Sequence, residues 1–199
     1  MSTDQILHRP WGIVSPDFWQ KTDPEPTTPV SAPVQAPVGP GPAPGAMGQT
    51  AVPPPPAEYR WRIAAVTAAC VPPIDPQRLA AANVEAEQID GEFTAAFGAA
   101  HSHTINVREL RGWIAHLMGQ PAAAARWYLH TTGLQAHVWG TEHEFTRASA
   151  GRAVQQWKGV TDPAERLALG SELLPMLRAV TGETSDATLA VQAIVEPSA

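Results

Sequence analysis

The sequence is poor in cysteine, in long apolar runs and in clustered positive charge, and each shortage closes a class of protein. Its one cysteine, Cys70, has no partner for an internal disulfide, so nothing marks an oxidising compartment. The longest largely apolar run, Ala64 to Val71, is far too short to cross a bilayer. The first residues, MSTDQILHRPWG, lack a charged stretch followed by an apolar one and do not read as a signal peptide. The formal net charge is −6, and over 58–199 there are 11 Lys/Arg against 15 Asp/Glu with no basic stripe. A nucleic-acid binder neutralises several phosphates with clustered cations, so neither DNA nor RNA is expected as a partner. There is no GxSxG, no Gly-rich phosphate loop and no HExxH, and Cys70 sits among alanines as a buried thiol would. We therefore expect a soluble, cytoplasmic, non-catalytic protein with no cofactor, no metal and no membrane contact.

What is present falls into three zones. Residues 21–57 hold 12 of the 21 prolines and no aromatic residue. Such a stretch buries too little apolar surface to offset the entropy of ordering it, so it is expected to be a disordered, polyproline-II-like spacer. Pro53 to Pro56, at its end, reads as part of the spacer and less as a polyproline ligand. Ahead of it, residues 1–20 carry Trp11, Phe18 and Trp19, a combination that disordered tails avoid unless it docks on something. Behind it, residues 58–199 are rich in Ala, Leu, Glu and Arg and form the expected folded domain. The Ala, Pro and Arg usage points to a GC-rich bacterial genome.

Helical periodicity divides that domain. Trp61, Ala64, Ala65 and Ala68 mark one face of a helix over 58–70, and Asp75-Pro76 caps and opens the next, 76–97. Leu79, Ala82, Ala86, Ile89, Phe93 and Ala96 give that helix its apolar face. Further helices are predicted over 104–118, with Val107, Leu110, Ile114 and Leu117 inward, and over 121–138, 146–158, 163–180 and 186–195.

An internal repeat gives the strongest signal. Gly98, Gly140 and Gly182 each end a predicted helix, and the steps from 98 to 140 and from 140 to 182 are both 42 residues. A threonine follows each glycine six residues later, at Thr104, Thr146 and Thr188, and the turn prolines Pro121 and Pro163 keep the same step. A left-handed glycine would end one helix and the threonine would cap the next. Helix pairs stacked at a fixed period bury a continuous apolar core.

With Gly-x-x-His-x-x-Thr, a helix, a Gly/Pro turn and a second helix, this pattern resembles the longer tetratricopeptide repeat of kinesin light chains and many bacterial proteins. Residues 98–139 match best, with Gly112, Gly119, Ala124 and Tyr128 on the family's small, turn, small and aromatic positions. Arg108 and Arg111 depart from it, standing where large apolar residues are usual, and Arg166 and Gly170 replace the small and aromatic residues of the next copy. The resemblance implies an all-α, short right-handed solenoid of three helix pairs and a closing helix. It also implies that the first helix of each pair lines a concave, protein-binding groove.

The groove positions implied are Asn106, Glu109, Trp113 and His116 in one repeat, and Ala148, Gly151, Gln155 and Lys158 in the next. Together with Trp11, Phe18 and Trp19 they point to a protein or peptide partner, and hence to an adaptor or scaffold. The plainer alternatives are that Trp113 packs between helices, and that the chain is a structural or regulatory subunit attached through residues 1–20. His101 and His103 stand two apart, but without Cys or HExxH they read as loop punctuation and not as metal ligands.

Overall fold

A computed structural model describes residues 54–196. They form seven α-helices: α1 (Ala57–Ala69), α2 (Pro76–Phe97), α3 (Ser102–Leu117), α4 (Pro121–Trp139), α5 (Glu144–Lys158), α6 (Pro163–Thr181) and α7 (Asp186–Val195). Each packs antiparallel on the next, α4 also touches α6, and no strand occurs among the described residues. No described helix is long and apolar enough to cross a membrane. Residues 1–20 and most of the Pro-rich tract, and with them Trp11, Phe18 and Trp19, lie outside the described residues.

The three joints that follow α2, α4 and α6 are built alike. Gly98, Gly140 and Gly182 have φ of 88°, 93° and 86° with ψ near 160°. This is an extended region open essentially only to glycine, and not the left-handed helical region expected from the sequence. Nothing lies within 4 Å of the place a Cβ would take, so the backbone angle, and not crowding, requires glycine. Each glycine carbonyl then accepts two hydrogen bonds. One comes from the N–H three residues on, at 3.4 Å in all three joints. The other comes from the threonine hydroxyl six residues on: Thr104 at 2.8 Å, Thr146 at 2.9 Å and Thr188 at 2.8 Å.

These threonines are fully buried and are not the helix caps, which is why α3 and α5 begin two residues earlier than expected. The caps stand three residues before them. His101 Nδ1 accepts from the His103 N–H (3.2 Å), His143 Nδ1 from the Phe145 N–H (3.3 Å), and Ser185 Oγ from the Thr188 N–H (3.2 Å). The last helical residue before each glycine holds the cap in place. Phe97 stacks on His101 at 4.9 Å and Trp139 on His143 at 5.6 Å, whereas in the third joint a Thr181–Ser185 hydroxyl contact of 2.8 Å takes the role.

Two apolar clusters fill the interior. One joins α1, α2 and α3 through Ile63, Val66, Leu79, Ile89, Phe93 and Leu110; the other joins α4 to α7 through Tyr128, Trp157, Leu169, Leu173, Leu177 and Val191. The α1 face assigned from sequence is reversed. Ile63, Val66, Ala69 and Cys70 point inward, while Trp61 is 71% exposed and Ala64, Ala65 and Ala68 face out. Both sides of α1 are apolar, and periodicity alone picked the wrong one.

The departures from the repeat at 166 and 170 have a packing reason. In the hairpin α3–α4 a small residue of the first helix, Gly112, lies against the ring of Tyr128 on the second, where an added Cβ would come to 3.2 Å. In α5–α6 the sizes are exchanged. Trp157, on the first helix, is 1% exposed and lies against Gly170, 3.3 Å from the place of its missing Cβ. Trp157 Nε1 donates to the Arg166 carbonyl at 2.8 Å, so its polar edge is satisfied as it is buried. Large still meets small, from the other side.

Because the joint glycine is held by its backbone angle, Gly140→Ala is expected to destabilise the chain by about 1–3 kcal/mol. Thr146→Val, which strips the buried threonine's hydrogen bond from the Gly140 carbonyl, should cost about 1 kcal/mol. Urea unfolding followed by circular dichroism measures both.

Candidate functional site

Four of the eight residues implied for a groove belong to α3, whose first half is enclosed: from His103 to Leu110 each residue is buried. Asn106 and Glu109 are each 5% exposed. Glu109 Oε1 accepts from Gln135 Nε2 of α4 at 2.9 Å and from Arg152 Nη1 of α5 at 3.0 Å. Its carboxylate thus ties three helices together and does not face a groove. Sequence spacing placed Asn106 and Glu109 on the correct side of α3 relative to its apolar stripe, but α4 and α5 cover that side.

A second ionic node lies one joint earlier. Asp90, 6% exposed on α2, accepts from Arg108 Nε at one oxygen and from Arg111 Nη1 at the other, both at 2.8 Å. Arg108 also donates to Thr94 Oγ1 (2.9 Å) and to His130 Nε2 on α4 (3.0 Å). Arg111 lies over the Trp127 ring at 4.1 Å and reaches Glu87 at 3.2 Å. The two arginines that break the repeat pattern therefore clamp α2, α3 and α4. The signal for this was available in the sequence, since two arginines at i, i+3 on an otherwise buried helix need a buried acid.

The second half of α3 reaches the surface. Trp113 is half-buried against the α1–α3 cluster and stacks on His116 with ring centroids 4.9 Å apart and planes 25° from parallel. His116 Nδ1 donates to Gln156 Oε1 of α5 at 2.9 Å. Met118, just beyond, is 37% exposed. On α5, Gln155, Lys158 and Gly151 are exposed. The structure thus brings Trp113 and His116 into one aromatic ledge, links that ledge to α5, and leaves Gln155 and Lys158 in solvent. Gln156, which makes the link, was missed because it lies one position off the stripe inferred from sequence.

His101, His103 and Cys70 have places within the fold. His101 spends Nδ1 on its cap, and His103 is buried against Phe93 and Phe97, with its pKa lowered from 6.5 first by that burial and then by the neighbouring His101. Burial pushes the Cys70 thiol up to about 11, far from the reactive thiolate range. Among the described residues no group of three or more His, Cys, Asp or Glu is placed to hold a metal ion. A cleft of about 370 Å³ opens between the turn at Gln120-Pro121 and the turn at Thr161-Asp162, crossed by the Arg126–Glu165 ion pair at 3.1 Å. It is open to solvent, walled by the first turns of α4 and α6 and the turns that lead into them.

Removing the acid from a buried pair leaves cations without compensation in the interior. Asp90→Ala is therefore expected to cost about 3–5 kcal/mol, well above the cost of an exposed carboxylate such as Glu172→Ala. Denaturant melts of the two variants make the comparison.

Comparison with models of protein families, with curated proteins and with solved structures finds no match to this chain.

Proposed function

We propose that the helical region is a tetratricopeptide-like array of three hairpins and a closing helix, and that the chain serves as a non-catalytic scaffold for a protein or peptide partner. Support for the array comes from the joints. Three glycines at a 42-residue step carry the same backbone angles and the same threonine bond, and the helices between them pack in order. Each hairpin then meets its neighbour in the same local geometry, as stacked repeats do.

Support for binding comes from the Trp113–His116 ledge, the single observation that carries this reading. The ledge is aromatic, partly accessible and fixed in orientation by the bond to Gln156. Interface hot spots combine just these properties: a large ring, little conformational freedom to lose, and a polar edge for direction. Gln155 and Lys158 on the neighbouring α5 are exposed and supply a polar rim. Asn106 and Glu109 act in this reading from beneath, as the internal bracing of α3 against α4 and α5.

The test is selection of peptides from a display library on the full chain, followed by affinity measurement against variants. Trp113→Ala is expected to weaken the selected peptides about 30-fold, the roughly 2 kcal/mol of an interface hot spot, while circular dichroism stays that of the parent. Gln155→Ala and Lys158→Glu should weaken them several-fold. Peptides that bind the folded Trp113→Ala chain as tightly as the parent contradict the ledge. Binding that depends instead on residues 1–20 favours an attached subunit of a larger assembly.

A further inference from the structure

The outward side of α1 carries an apolar stripe that nothing among the described residues covers. Around α1, Ala57, Trp61, Ala64, Ala65 and Ala68 fall within one sector of roughly 100° at 100° per residue, and all five are exposed, as is Val71 just beyond the end of the helix. Trp61 is 71% exposed and Val71 61%. No charged residue interrupts the stripe; the nearest, Glu58, Arg60 and Arg62, flank it. The opposite side is packed into the core through Ile63 and Val66, each 1% exposed. The helix is thus apolar on two sides, one packed into the core and one open, with Glu58, Arg60 and Arg62 between them. The alanines form a low shelf beside the one large ring, which suits flat aromatic groups laid against it.

We propose that this shelf is the seat of the chain's own N-terminal segment, with Trp11, Phe18 and Trp19 packing against Trp61 and the alanine row. Three observations favour that occupant. The first is position. The described chain begins at Pro54, three residues before α1, so the tether arrives at the end of the helix it would cover.

The second is reach. Residues 21–53 span at most roughly 100 Å as polyproline II, whereas α1 is only about 20 Å long. Returning to any point of the stripe is well within range, and the effective concentration of a tethered segment is of millimolar order.

The third is area. One face of a helix of 13 residues offers a few hundred square ångströms at most, well short of the ~800 Å² per partner of a standard interface between separate molecules. A small patch of this kind suits a tethered partner better than a second copy. The segment supplies the matching chemistry. Of the residues before α1, only 1–20 contain aromatic rings, together with Ile6, Leu7, Ile13 and Val14. The contact is independent of the Trp113 ledge and stands or falls separately from it.

The test uses the full chain with Trp61 replaced by the photo-cross-linker p-benzoylphenylalanine, irradiated at about 1 µM and mapped by mass spectrometry. The expected product is a cross-link within one chain from position 61 to a residue in 1–20, with the same yield on tenfold dilution. In the same chain carrying Trp11→Ala and Trp19→Ala, the yield should fall at least about fivefold. Hydrogen exchange of the chain with its native Trp61 gives a second readout. Exchange from α1 is expected to speed up several-fold when Trp11 and Trp19 are replaced, while α3 and α5 are unchanged. A dimer-sized product that disappears on dilution would assign the shelf to a second copy and overturn the proposal. So would cross-links that avoid residues 1–20, or α1 exchange indifferent to Trp11 and Trp19.

Discussion

The carbonyl oxygen of a joint glycine, held between a backbone N–H and a buried threonine hydroxyl, fixes how one helix pair follows another. That oxygen belongs to a residue whose φ, near +90°, aims the chain in a direction other amino acids resist. The threonine is on the first turn of the next helix, so the bond sets the entry angle of that helix relative to the end of the last. Because the whole device spans seven residues and recurs every 42, each hairpin is delivered to its neighbour in the same way. Packing across these joints is sequential, α2 on α3, α4 on α5 and α6 on α7.

Within that frame the interior is not uniform. The α1–α3 cluster and the α4–α7 cluster are bridged by polar nodes, Asp90 with Arg108 and Arg111 on one side and Glu109 with Gln135 and Arg152 on the other. All four charges of the pairs Asp90–Arg108 and Glu109–Arg152 are largely removed from water, so each demands its own partner at its own place. Neither node recurs at the 42-residue step. Apolar stacking alone would let similar hairpins pair interchangeably; these nodes belong to particular helices and distinguish the central hairpin from its neighbours. The exchange of Gly112–Tyr128 for Trp157–Gly170 shows the same logic in apolar form, since the volume at a hairpin contact is conserved while its owner changes.

Much of this was legible beforehand, and the failures have identifiable causes. Helix existence and order followed from apolar spacing, and the Asp75 cap was visible as an Asp-Pro pair, which the structure forms through the Gln77 and Arg78 N–H groups. Asp162 caps α6 in the same way through the Ala164 N–H, where the sequence reads only as a turn. The glycine–threonine step was visible as a pattern, but its physics was misassigned. Threonine is a good cap by type, and only geometry reveals that a histidine ring can take the cap while the threonine bonds backward. The α1 face was misread because both sides are apolar and Trp61 dominated the count. Asn106 and Glu109 were placed at a surface because a stripe beside the apolar one is polar. No single-helix argument counts the neighbours that come to cover it. Trp113 and His116 did prove adjacent, since i, i+3 proximity is a property of the helix itself.

The central claim is that glycine, cap and threonine carry the joint, and that the residues between them are interchangeable. Transplanting the second joint into the first tests it directly, by making Ala99→Thr, Ala100→Glu, Ser102→Glu and His103→Phe together while Gly98, His101 and Thr104 stay. If the claim is right, the chimera keeps the helicity of the parent and a single cooperative melt within roughly 4 °C of it, under about 1 kcal/mol. A chimera that loses helicity, or whose melt splits or falls by well over 10 °C, would show that the joint depends on its own local sequence and would contradict the account.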